Sequence, residues 1–108
     1  MKYDATLYIG HNVDGTPKHE TSDVLAALAA HGIEACTVYE GAGVWRGETE
    51  ATSIVELCAL SAAEVEALQA STIPALCVEL EQCEIMARIS PSNAVFIAAD
   101  AATDIETA

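Results

Sequence analysis

A chain of 108 residues holds one domain with one core. Hydrophobic residues make up 52%, which excludes wholesale disorder, while 5% aromatics and abundant Ala make the core thin. Seventeen Asp and Glu against four Lys and Arg give a formal net charge of -13, a surface that repels nucleic-acid backbones and anionic membranes and attracts cations or basic protein surfaces.

Tyr3 to Ile9 alternates, with Ala5, Leu7 and Ile9 on one side and Thr6 and Tyr8 on the other, and predicts a strand. Gly10 to Glu20 is a polar loop. Thr21-Ser22-Asp23 caps a helix carrying Val24, Leu25 and Leu28, and His31 with Gly32 ends it. Residues 33–44 and 49–60 are predicted strands joined by the tip Trp45-Arg46-Gly47-Glu48. Ser61-Ala62-Ala63-Glu64 is a capping box opening a second helix. Ser71-Thr72-Ile73-Pro74 interrupts that helix, and Pro74 starts a further helical piece with Leu76 and Leu80. Ile85 to Ile89 is a fourth strand, and Ala94 to Ala98 a short extra edge strand. Residues 1–99 form the expected domain, followed by an acidic tail over 100–108.

The order β-α-β-β-α-β is the split βαβ pattern of a ferredoxin-like α+β fold. Right-handed crossovers place both helical regions on one face of a four-stranded antiparallel sheet. A hairpin turning about Arg46 and Gly47 pairs Trp45 with Glu48, Tyr39 with Ile54 and Cys36 with Leu57. Cys36, Val38, Val55, Leu57 and Ala59 then meet the helices. Thr37, Tyr39, Ile54, Glu56 and Cys58 lie on the other face, with Thr6, Tyr8, Met86 and Arg88 beside them. That second face is half apolar, and exposed patches of this kind mark interfaces. A homo-oligomer is therefore expected; the alternative is that the extra strand and tail cover the face within one copy.

Glu40 to Glu50 contains three Gly residues, the only Trp and one of two Arg residues. Trp45 can stack a ring and Arg46 can fork onto a phosphate or carboxylate. Trp45, Arg46 and Arg88 are the expected ligand contacts, with Tyr8 and Tyr39 beside them. The alternative is a long twisted hairpin whose Trp plugs a neighbouring subunit. Aromatic sheets of this kind also stack RNA bases, but the near absence of basic residues argues against direct nucleic-acid binding.

The Cys36 strand entry, the long second and third strands, and the tip Trp45, Gly47, Glu48 resemble the CutA and PII-like group. The resemblance covers roughly residues 33–60. It implies a ferredoxin-like trimer that binds nucleotides or metals in clefts between subunits. The basic phosphate-binding residues of a nucleotide-binding PII protein are missing here. Small phage proteins are of similar size, including sponges that sequester signalling nucleotides, with no motif joining this chain to them.

No Cys-x-x-Cys and no His pair at i,i+4 supports a metal site, and His11, His19, Asp14 and Glu20 sit in or beside the predicted loop. No Gly-x-Ser-x-Gly elbow or Walker loop is present. The start of the chain does not have the form of a signal peptide, and no apolar run reaches the ~18 residues of a membrane span. These readings lead to a cytoplasmic, non-enzymatic oligomer that binds a small nucleotide-like ligand between subunits, with no cofactor or metal and no membrane partner. Cys36, Cys58, Cys77 and Cys83 are expected to be free, buried thiols. The alternative function is an acidic protein-interaction module, an inhibitor of nucleic-acid-mimic type acting on a basic partner.

Overall fold

A computed structural model describes residues 1–99. The elements are β1 (Tyr3–Gly10), β2 (Asn12–Val13), β3 (Thr16–Pro17), α1 (Thr21–Ala30), β4 (Thr37–Trp45), β5 (Glu48–Leu60), α2 (Ala62–Ala67), a π turn (Leu68–Thr72), α3 (Ile73–Glu79) and β6 (Met86–Pro91). The main sheet has the order β4-β5-β1-β6, with every neighbouring pair antiparallel. This is the ferredoxin-like α+β arrangement, plus a two-stranded ribbon of β2 and β3. The acidic tail expected over 100–108 lies outside the described residues.

Alternation in the strands builds the core. Ala5, Leu7 and Ile9 of β1 and Val55 and Leu57 of β5 are buried on the same side. They form one cluster with Val24, Ala27 and Leu28 of α1, Leu68 of the π turn, Leu76 of α3 and Leu80 just beyond it. The i, i+3, i+4 spacing of the three α1 residues is what turns them onto the sheet together. Among the described residues all helices therefore lie on one face, and the reverse face is open.

Local chemistry sets the helix ends. The Asp23 carboxylate accepts the Glu20 N–H at 2.8 Å, so α1 is capped at Glu20, one residue before the predicted Thr21. At α2 the Ser61 hydroxyl accepts the Glu64 N–H at 3.1 Å and the Glu64 carboxylate accepts the Ser61 N–H at 2.9 Å. The expected interruption at residues 71–74 is a π turn that carries the helix through. Pro74 has no N–H for the preceding turn, and the wider turn ends beside that missing bond.

Three further expectations are corrected. Among the described residues the extra strand expected over Ala94–Ala98 pairs with no other strand: Pro91 ends β6, and the Ser92 hydroxyl takes the Ala94 N–H at 3.1 Å that a ladder would need. The cysteines are not buried: Cys36, Cys58 and Cys83 are exposed and Cys77 is half-buried. Cys36 lies just before β4 begins and so never enters its helix-facing row. Ala59 does not continue the inward row, because the β1–β5 register shifts there. Ala59 takes φ 57° and gives its N–H to Asp4 at 3.1 Å, a β-bulge.

Candidate functional site on the open sheet face

The registers place one row of side chains straight across the open face: Met86, Tyr8, Ile54 and Tyr39. The next row is Arg88, Thr6, Glu56 and Thr37. Tyr39 is 48% exposed and Met86 58%. The Tyr39 hydroxyl donates to Glu56 at 3.1 Å, and this bond to a carboxylate holds the phenol above its ordinary pKa. Arg88 forms no ion pair among the described residues, and it lines a shallow depression of about 210 Å³ with Asp4, Thr6, Tyr8, Ile89 and Ser90. A planar fork beside the Tyr8 phenol is a surface able to hold a carboxylate and a ring together.

Toward the hairpin the floor becomes glycine. Gly10 pairs with Thr52, and Gly43 pairs with Glu50. A Cβ on Gly10 would fall 2.5 Å from the Glu50 carboxylate, and a Cβ on Gly43 would fall 2.6 Å from the Thr52 hydroxyl. Only glycine lets these two side chains lie flat across the neighbouring strands. The Glu50 carboxylate thereby reaches the end of β1, where the Asn12 N–H donates to it at 3.0 Å. A partly buried carboxylate is thus fixed in position at the head of an otherwise neutral glycine floor.

The loop that presents Asn12 is itself tied down. The His11 side chain is buried, not part of a solvated loop as expected, and its Nε2 lies 2.7 Å from the Ser53 hydroxyl. The His11 backbone donates to Ala51 and accepts from Lys18 and His19. Glu40 stands 3.8 Å from His11 Nδ1 and accepts the Thr21 hydroxyl at 3.1 Å. His31 sits at the end of α1 and contacts Glu79 of α3. Among the described residues no group of three His, Cys, Asp or Glu side chains could hold a metal ion.

Trp45 and Arg46 stand at the far end of the hairpin. Arg46 at φ 50° and Gly47 at φ 81° form the two central residues of the turn, and the guanidinium lies 5.7 Å from the Trp45 ring centre. Six residues of strand separate Tyr39 from Trp45, about 20 Å at a strand's rise. Within one copy, therefore, Tyr8, Tyr39 and Arg88 share one region of the face, and Trp45 with Arg46 occupies another. The sequence reading missed Glu50. The signal was Gly10 at the end of the first strand, which marks close approach by something else.

No protein-family model matches the chain, and no curated protein matches it. Solved structures do. A phage SAM lyase in complex with S-methyl-5'-thioadenosine superposes with TM-score 0.68 and 19% identity, over 82% of this chain and 80% of that one. A phage SAM lyase in the apo state gives TM-score 0.61 and 20% identity, over 82% and 79%. A DUF3240 family protein from Shewanella baltica gives 0.59 and 15%, over 92% and 99%. Likeness at this identity establishes the fold. The expectation that the protein has no enzymatic activity is corrected by the two lyases, which are enzymes on this fold at this size. That expectation rested on missing nucleophile and phosphate-loop motifs. A lyase needs neither, since breaking a bond without water or an enzyme-bound intermediate requires only placed charges and donors.

Proposed function

We propose that this protein is a lyase acting on a sulfonium nucleoside of the S-adenosylmethionine class, bound on the open sheet face. The observation that carries the reading is the Glu50 carboxylate held over Gly10 by the Asn12 N–H. S-Adenosylmethionine is a cation at sulfur, and a positioned carboxylate is the group that attracts it. The net charge of -13 steers a cationic ligand toward the protein where it would repel a phosphorylated one. The acidic composition thus favours this ligand over the phosphate-bearing nucleotides expected from the sequence.

In this reading Tyr8 and Tyr39 line the face beside the nucleoside, while Arg88, six strand positions or about 20 Å from the Glu50 row, stands outside the reach of the same ligand within one copy. The bond from sulfur to the four-carbon chain breaks, and its electron pair stays on sulfur, leaving neutral S-methyl-5'-thioadenosine. The four-carbon fragment closes on its own carboxylate or sheds a proton, so no co-reactant is consumed. Glu50 holds the sulfonium in place before the bond breaks and has no opposite charge to face afterwards. The protein works as a homo-oligomer in which the hairpin tip of one copy brings Trp45 and Arg46 over the open face of another, with the indole stacking the adenine.

The test is incubation with S-adenosylmethionine followed by chromatography for S-methyl-5'-thioadenosine, with thermal unfolding alongside. A ligand at 100 times its dissociation constant adds about 2.7 kcal/mol of stability. Thioether formation and a raised melting temperature are expected, both lost in Trp45→Ala and Arg46→Ala. No product and no thermal shift at millimolar ligand would end the proposal.

A further inference from the structure

After Ser92 the chain leaves the body of the protein. The Ser92 N–H is held by the Lys2 carbonyl at 2.8 Å, and beyond it Val95, Phe96 and Ile97 are 76%, 83% and 78% exposed. Three consecutive large apolar side chains in water are costly, and Ala94-Val95-Phe96-Ile97-Ala98 has the composition of a strand. Residues 92–99 carry no charge in a chain whose net charge is -13.

The same chain offers a matching surface. Among the described residues β4 is hydrogen-bonded to β5 alone, so one long side of it is an unpaired row of N–H and C=O groups. Sheet edges are ordinarily protected by Lys, Pro or a bulge, or kept short. β4 has nine residues, Thr37 to Trp45, with neither Lys nor Pro, an unbroken register with β5, and Glu40 as its single charge. The other edge, β6, has six residues and contains Arg88 and Pro91, so it is the defended one. In a strongly anionic protein, copies can approach most closely where both surfaces carry little charge, and the arm, with none, and the β4 edge, with Glu40 alone, are two such surfaces.

We infer that the segment 93–98 of one copy adds as a strand to the β4 edge of a second copy. Its main chain completes the sheet, and Val95, Phe96 and Ile97 leave water at the junction. The inference gives the homo-oligomer of the proposed function its contact and does not depend on which ligand binds.

Light scattering of the full chain tests it together with hydrogen exchange over residues 37–45. The wild type is expected to be oligomeric at micromolar concentration. Phe96→Asp and Ile97→Asp are each expected to weaken assembly at least tenfold with unchanged circular dichroism, since both side chains lie outside the core. Exchange over 37–45 should speed up in both variants. A monomeric wild type would overturn both the arm contact and the oligomer. An oligomer that persists in both variants overturns the arm contact alone. Dissociation with unchanged exchange over 37–45 overturns β4 as its seat.

Discussion

His11 Nε2 and the Ser53 hydroxyl lie 2.7 Å apart across 42 positions of sequence, both side chains buried. The pair bolts the start of the 11–20 loop to β5, one residue before the amide that holds Glu50. Ser53→Ala leaves the ring without that partner, and a buried polar group so stranded costs about 1–3 kcal/mol. Urea unfolding should report that loss in the midpoint with an unchanged slope.

Glu50→Gln keeps the shape of the side chain and an oxygen for the Asn12 N–H, and removes the charge. Sulfonium binding or turnover is expected to fall at least tenfold, equivalent to about 1.4 kcal/mol. The melting temperature of the free protein should hold. Gly10→Ala is expected to give a similar loss by a different route, because its Cβ would sit 2.5 Å from that carboxylate. An unaltered affinity in both variants would remove Glu50 from the site.

Tyr39 should ionise late. Its bond to Glu56 favours the protonated phenol, so the folded protein holds that proton more tightly than the unfolded chain does. The resulting stability is present below the ordinary phenol pKa and is lost as pH rises through the higher folded value. Absorbance at the phenolate band should show one late-titrating tyrosine that moves down in Glu56→Gln.

The capping box of α2 gives a second pH signature of opposite sign. Bonds from the Ser61 backbone and side chain hold the Glu64 carboxyl below its ordinary range. That contribution is present above the ordinary carboxylate pKa and is lost as pH falls through the lowered folded value. Ser61→Ala is expected to cost about 1 kcal/mol by thermal unfolding at neutral pH, and to flatten the acid side of the stability profile.

The fold was legible because periodicity and turn chemistry agree along this chain. The hairpin register of Trp45 with Glu48 and of Tyr39 with Ile54 follows from Arg46-Gly47 alone, and the observed pairing is the same. The open face with Tyr8, Tyr39, Ile54, Met86 and Arg88 follows from that register. What was not legible depends on contacts between distant segments. Ser53 reads as a polar break in an apolar row until His11 is brought to it by the β1–β5 pairing. Glu50 reads as one more surface acid among seventeen until Gly10 beneath its carboxylate is in view. The fate of Ala94–Ala98 could not be read from composition, because a strand needs a partner and composition names none.

β5 runs for thirteen residues, while β1 pairs with it only from Thr52 onward. The upper part of the β4–β5 ribbon therefore stands clear of the third strand and is steadied, beyond its own ladder, by the 11–17 segment through the His11–Ala51 and Asn12–Glu50 bonds. Folding draws on one half of these two strands, and whatever meets the tip draws on the other. Substitutions around Trp45 can retune what is recognised at small cost to cohesion, whereas a change at Val55 or Leu57 risks the whole molecule. The hairpin is in effect a handle on a fixed blade, its grip set by residues that the blade does not need.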